Sequence, residues 1–387
     1  MRVVIAPDSF KGSLTSVEVA TALAVGWHTA RPGDEVLLAP LADGGEGTLV
    51  AIEAAGGWAW RETTVAGPDS APVRAKWLIS PDGRSAVIEM AAASGLSLIA
   101  PARRQTTSFS TKGTGELIRA AIDAGVRDIT LGIGGSATTD GAAGVLTVLG
   151  AVIRGGDGKP LGEPPAPPTP LHLGSTATID LAGLDPRLGE VDLHIACDVT
   201  NPLLGPNGAA AVYGPQKGAT PDDVAFLDGA LGAFADALEA ATGRDERHTP
   251  GAGAAGGTGF GLLSLRDRFR SLELVPGVEV VMRAADLEGK LAHADLVITG
   301  EGRIDAQTAF GKTALGVARA AKAASVPCIA VGGGVTPEGI EALAGLAIVV
   351  PAAEGPTTLE EAMAAGAAPL VRLGERLARL VSIVGWT

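Results

Sequence analysis

The sequence predicts an α/β protein: a discontinuous domain built on a doubly wound parallel sheet, with a second α/β domain inserted into it. Three observations carry this. Short apolar runs near both ends of the chain alternate with helical patterns, each run leads into a polar, glycine-bearing loop, and the middle of the chain breaks that rhythm. A length of 387 residues leaves room for two or three domains at roughly 100–200 residues each.

The first apolar run, residues 3–6, reads VVIA, as suits a parallel strand buried on both faces. After PDSFKGSLTS comes a helix, signalled by a capping box at Thr15 and Glu18 and by Val17, Ala20, Leu23, Ala24 and Trp27 at helical spacing. Arg31-Pro32-Gly33 ends it. A second unit has its strand at 35–41, the loop ADGGEGT and a helix at 49–55 closed by Gly56 and Gly57. Near the other end, a strand at 296–299 leads through GEGRIDAQTAFGKT to a helix at 314–324 and a strand at 326–331. A turn at Gly332-Gly333-Gly334 follows, then a strand at 347–350 and a last helix opened by the box Thr358 and Glu361.

The middle holds the Gly-rich segment LGIGGSATTDGAAG, a Pro-rich stretch at 159–170 and a Gly/Ala run at 251–261. The expected division is therefore 1–66 plus 285–387 for the parallel-sheet domain and 67–284 for the insert, with the active site in the cleft between them. The Pro-rich stretch reads as a rigid surface loop.

Composition excludes several classes. The 30 Lys and Arg against 43 Asp and Glu give a net charge of −13, which repels phosphate backbones and argues against a nucleic-acid partner. No apolar stretch approaches the roughly 20 residues of a membrane span, and the N-terminus lacks a signal sequence, so a cytoplasmic protein without membrane partners is expected. Cys197 and Cys328 form no CxxC pair, and the five histidines have no ligand spacing, which disfavours disulfide and zinc chemistry. Ser9 and Ser136 both lie outside a G-x-S-x-G elbow.

The chemistry is concentrated in loops just past the carboxyl ends of the strands, where open α/β sheets present ligands. These loops carry Asp8, Ser9 and Lys11; Asp43 and Glu46; and Glu301, Arg303, Asp305 and Lys312. Carboxylates paired with cations on successive loops suit phosphoryl transfer, in which carboxylates hold Mg²⁺ and cations hold phosphate. Each such residue taken singly reads more readily as a solvated loop charge, and their joint placement after successive strands reverses that preference. The segment from Ala306 to Thr313 approaches the phosphate-cradling G-x-x-x-x-G-K-[ST], but with Ala for its first Gly; Gly311, Lys312 and Thr313 still open a helix whose N-terminus favours an anion. The stretch from Gly132 through Gly134 and Gly135 to Ala137 matches G-x-G-x-x-[GA], which taken alone points to an NAD-dependent hydroxy-acid dehydrogenase; Asp140 just beyond would set its charge against a pyrophosphate. A non-catalytic sensor of nucleotides or organic acids is the third reading.

PDSFKGSLTS from Pro7, PLADGGEGT from Pro40, GGSATTDGAAG from Gly134, ACDVTNPLLGPNGAAAVYGPQKGAT from Ala196 and TGEGRIDAQTAFGKT from Thr299 together resemble the bacterial glycerate kinase family, in its glycerate 2-kinase branch. The motifs run in order over nearly the whole chain. The resemblance implies a Rossmann-like domain plus an α/β insert, and ATP-dependent phosphorylation of D-glycerate, usually at the 2-hydroxyl, in glyoxylate, glucarate or related acid catabolism; a glycerate 3-kinase is the alternative. On this reading Asp198 orients or deprotonates the hydroxyl, with Asp305 as substitute, and Lys11 joins them as a catalytic cation. Asp8, Ser9, Ser136, Asn201, Lys217 and Arg303 bind substrate, Gly134, Gly135, Gly311, Lys312 and Thr313 bind ATP, and Asp43, Glu46 and Glu301 hold Mg²⁺.

Overall fold

The structure, a computed structural model, describes residues 1–42, 44–45, 47–162, 166–310 and 312–385. Its strands, in chain order, are β1 (Arg2–Pro7), β2 (Glu35–Leu38), β3 (Ala59–Ala66), β4 (Pro72–Ile79), β5 (Ser85–Glu89), β6 (Asp128–Gly132), β7 (Val152–Gly155), β8 (Thr176–Asp180), β9 (Asp192–Ala196), β10 (Ser271–Val275), β11 (Leu296–Ile304), β12 (Cys328–Val335) and β13 (Ile348–Pro351). They fall in two compact units.

Unit 1 comprises Met1–Asp43, Gly47–Gly57 and Val278–Thr387. Its sheet is wholly parallel, in the order β13-β12-β11-β1-β2. The chain leaves β1 toward β2 on one side, then builds β11, β12 and β13 outward on the other, so the strand order reverses between β1 and β11. Helix Ser16–Ala30 begins at the expected capping box, with Thr15 and Glu18 bonded reciprocally. Its fully buried Trp27 belongs to a core shared with helix Ala368–Val384. The two helices meet backbone to backbone: a Cβ on Gly26 would lie 1.9 Å from the Val371 carbonyl oxygen, and one on Gly374 would lie 2.3 Å from that of Leu23.

Two readings change in this unit. β11 continues to Ile304, so Glu301 and Arg303 stand on a strand rather than in a loop, and Gly332, Gly333 and Gly334 belong to β12 instead of a turn. The cause is close strand pairing, Glu301 with Gly332 and Arg303 with Gly334. A Cβ on Gly333 would come within 2.6 Å of the Gly302 carbonyl oxygen, so glycine is what lets the ladder continue.

Unit 2 comprises Gly44–Glu46 and Trp58–Gly277. Its main sheet has the order β10-β9-β6-β5-β4-β3, with the first four strands parallel and the last two antiparallel; β7 and β8 form a separate pair. The core runs from Trp77 and Ile88 through Leu131 and Leu193 to Phe234 and Phe260, whose rings meet edge to face at 6.4 Å. The passage between units falls near residue 58 rather than 66, because β3 pairs with β4 along its whole length. The return falls at Val278 rather than 285, because helix Gly277–Ala284 clusters almost entirely with unit 1.

The Pro-rich stretch also differs from the surface loop expected. Pro167, Pro168 and Pro170 are buried, and Pro170 opens a short helix, Pro170–Leu173, capped by Thr169.

Candidate active site

In open α/β sheets the ligand crevice lies outside the carboxyl ends of the strands, where strand order reverses. In unit 1 that place is the end of β1 beside β11. Asp8 directly follows β1, its N–H donating to the Gly300 carbonyl at 2.8 Å. Its carboxylate accepts from the Ser9 N–H at 2.6 Å and from the Thr313 hydroxyl at 2.7 Å, and the side chain is largely buried. Thr313 opens helix Thr313–Ala323, so Asp8 sits at that helix's N-terminal end.

Glu301 is also buried, and it accepts from the Thr308 hydroxyl at 2.8 Å. Burial raises its pKa, the Thr308 hydroxyl and Lys312 oppose that rise, and the neighbouring Asp8 and Asp305 charges add to it. Lys312 Nζ lies 3.4 Å from Asp305 and 3.9 Å from Glu301. Arg303 pairs with Asp305 at 3.1 Å while remaining mostly exposed. For Asp305 partial burial works upward, but the Gln307 N–H, Lys312 and Arg303 outweigh it and hold its pKa below the usual value.

The structure thus gathers Asp8, Ser9, Glu301, Arg303, Asp305, Lys312 and Thr313 around the carboxyl ends of β1 and β11. Lys11 is exposed on the same loop as Asp8. Asp43, Glu46 and Gly311 lie outside the described residues. The P-loop comparison ends here: a short 3₁₀ helix, Ala306–Phe310, stands where the glycine-rich cradle would be.

In unit 2 the loops after β6 and β9 build a second cluster. Lys217, reached by the loop after β9 and closed by Gly218 at φ +100, has its side chain almost wholly buried. Its ammonium donates to the Thr138 carbonyl at 2.6 Å and to the Ser136 hydroxyl at 3.0 Å. Burial drives its pKa down to about 7, with Asp140 acting in the opposite direction. Gly134 packs against the chain at Gly45, where a Cβ would stand 3.1 Å from the Gly45 Cα, and Gly135 takes φ +70.

Asp198 is exposed just past β9, with one carboxylate oxygen accepting from the Gly277 N–H at 2.9 Å. Asn201 braces its own loop, donating to the Asn207 carbonyl at 2.9 Å and accepting from the Tyr213 hydroxyl at 2.6 Å. No helix starts at the G-x-G-x-x-A segment; the next, Ala143–Val148, begins six residues after Ala137. That removes the helix N-terminus on which a dinucleotide pyrophosphate would rest.

Sequence reasoning passed over Thr308 and Asp140. The first looked like an ordinary loop hydroxyl. The second was read only as an obstacle to pyrophosphate, although its place just before the apolar run from Ala142 to Leu149 was a signal of burial.

The family model described as the glycerate kinase family matches residues 3–382. The chain belongs to the glycerate kinase family. Among curated relatives in this family, "Glycerate kinase" of Bacillus subtilis (strain 168) is 48% identical, covering 87% of this chain and 86% of its own. "Glycerate 2-kinase" of Escherichia coli (strain K12) is 42% identical over 99% of this chain and 98% of its own. A solved structure from Salmonella typhimurium LT2 is 43% identical, with a TM-score of 0.86 and full coverage of both chains. Glycerate kinase membership and the mixed α/β architecture agree with the sequence reading. Among the described residues no helix is long and apolar enough to cross a membrane.

Proposed function

We propose that this chain is a cytoplasmic kinase that transfers the γ-phosphoryl group of ATP to the 2-hydroxyl of D-glycerate, giving 2-phosphoglycerate and ADP. The observation that carries this reading is the end-to-end likeness to the relative named glycerate 2-kinase. The chemistry of the two clusters supports it.

Phosphoryl transfer spreads negative charge over the equatorial oxygens of the moving group, so the protein's task is positioning and charge stabilisation. In unit 1 the Thr313 helix end and Lys312 favour the phosphates, with Lys11 on the neighbouring loop as a further cation. In unit 2 the buried Lys217 ammonium and the Ser136 hydroxyl form a donor pair suited to the carboxylate of glycerate. Asp198 keeps an exposed carboxylate with which to accept the 2-hydroxyl proton. Asp305 suits that role less well, because two cations and a backbone donor already hold it ionised and engaged. It instead anchors Lys312.

Mg²⁺ fits this chain as a partner of the phosphates. Among the described residues no three acidic, histidine or cysteine side chains converge to cage a metal. Kinase magnesium is commonly held by only one or two carboxylates plus phosphates and water. Glu301, buried and crowded by Asp8 and Asp305, is the described carboxylate that a divalent cation would relieve; when bound, the ion neutralises charge on the phosphates.

The test is product analysis. Purified protein with ATP, Mg²⁺ and D-glycerate is expected to release ADP only when glycerate is present, and ³¹P NMR should show 2-phosphoglycerate. A 3-phosphoglycerate resonance would overturn the regiochemistry, and glycerate-independent ADP release would overturn the substrate.

A further inference from the structure

The loop joining β6 to helix Ala143–Val148 buries an acid that the reaction as described does not use. Asp140 is fully enclosed. One of its carboxylate oxygens accepts from the Thr111 N–H at 2.8 Å, the Thr111 hydroxyl at 2.9 Å, the Gly144 N–H at 3.2 Å and the Ser110 hydroxyl at 3.4 Å. Burial pushes its pKa up, and the Thr111 and Gly144 donors oppose that rise by favouring the ionised form. The other oxygen has no hydrogen-bond partner, and neither do the buried hydroxyls of Thr138 and Thr139 beside it in sequence.

The same loop supplies both acceptors of the Lys217 ammonium, Ser136 and the Thr138 carbonyl. It is held from behind by three successive left-handed residues, Ala255, Gly256 and Gly257, with φ of 52°, 69° and 86°. A Cβ on Gly256 would sit 2.0 Å from the Thr138 carbonyl oxygen, and Gly141 donates to the Gly256 carbonyl at 3.1 Å. Backbone held in this sparsely populated region needs surroundings that over-determine it. Here those surroundings fix the carbonyl that orients Lys217.

A buried ammonium requires a counter-charge. No carboxylate stands within ion-pair distance of Lys217 among the described residues, whereas Asp140 acts on it through space and favours its charged form. Arg104 also packs at this place, its Cβ 3.1 Å from where a Cβ on Gly218 would stand.

We propose that Asp140 is a positioning residue for the kinase reaction: from inside the loop its carboxylate keeps the Lys217 ammonium charged and in place to meet the anionic substrate. This rests on Lys217 binding substrate, as proposed above.

The test is the pH profile of kcat/KM for glycerate in Asp140→Asn, which keeps the shape of the side chain and removes its charge. In the wild type the profile should fall as pH rises and Lys217 loses its proton. In Asp140→Asn the falling limb should move toward acid by about one pH unit or more, with KM for glycerate raised about tenfold or more near neutrality and kcat less affected. A lower rate with the limb unmoved would mean a merely structural role and would overturn the proposal. If Asp140→Asn does not fold, Thr111→Val decides: it removes one donor from the carboxylate while keeping the acid, so the limb should move in the same direction by a smaller amount. An unmoved limb there overturns the proposal equally. Wild-type protein showing no glycerate-dependent ADP release would instead defeat the substrate reading on which it rests, so the two failures are distinguishable.

Discussion

Replacing Lys217 with Met should cost the reaction its substrate anchor and make stability depend on pH with a change of sign. Lys217 is 2% exposed, and its pKa falls from 10.5 to about 7 on folding. At about 1.4 kcal/mol per pH unit, holding the charged form inside costs up to about 5 kcal/mol. The direction follows from proton counting. Between the folded and unfolded values the unfolded chain binds more protons, so the wild type gains stability as pH rises from about 7 toward 10.5. Below about 7 the full cost is present; above 10.5 it is gone. Methionine removes the charge but leaves the Ser136 hydroxyl and the Thr138 carbonyl without their donor, a loss of roughly 2–4 kcal/mol in sum. Lys217→Met should therefore be about 1–3 kcal/mol more stable than wild type at pH 6 and about 1–3 kcal/mol less stable near pH 10. Urea unfolding at pH 6, 8 and 10, with kcat/KM measured on the same preparations, reads both effects. A stability difference that stays flat with pH would refute the account of a charged, enclosed ammonium, whatever happens to activity.

Two further substitutions address the proposed chemistry. Asp198→Asn should lower kcat by about 10²–10⁴ with ATP affinity nearly unchanged, since the amide cannot accept the hydroxyl proton; near wild-type kcat removes Asp198 from the chemistry, and loss of ATP binding makes it a metal ligand instead. Glu301→Gln should raise the Mg²⁺ concentration for half-maximal rate at least about tenfold while leaving the melting temperature unchanged or higher, because a buried carboxylate raised by its surroundings is relieved of its charge; an unaltered Mg²⁺ requirement separates Glu301 from the ion.

The outer elements of unit 1 were legible because local rules decide them. Thr15 and Glu18, and Thr358 and Glu361, write their capping boxes into the sequence, and VVIA admits little but a buried strand. The ends of β11 and β12 were not legible. Gly332-Gly333-Gly334 has the composition of a turn and becomes strand only because the Gly302 backbone approaches too closely for any side chain. The same limit hid β3, whose charged and polar residues show no apolar run and are a strand because β4 pairs with them. In the candidate site, residue types pointed to Asp8 and Lys312, because acids and bases after strands mark ligand loops, and to Glu301, although it stands on β11 itself. Burial did not announce itself. Nothing local says that Lys217 is enclosed or that Asn201 is spent on its own loop, since both follow from the folding of the segment after β9.

Burial separates the two clusters into different tasks. At the end of β1 and β11 the carboxylates are crowded: Asp8 and Asp305 raise Glu301, while Lys312 lowers it and Arg303 engages Asp305. On the proposed reading, a divalent cation with its phosphates relieves the charge gathered around Glu301. Around Lys217 the imbalance has the opposite form: a cation with two neutral acceptors and an acid that acts only from a distance. An anion bound there gains from an ammonium already stripped of water, and it restores to that ammonium the proton affinity that burial took away. On the proposed reading each cluster takes what one substrate brings, a cation carried by the nucleotide at the first and a carboxylate carried by the hydroxy acid at the second. On this account the pH dependence of glycerate binding belongs to Lys217 and that of magnesium to Glu301, and each should move only with substitutions in its own cluster.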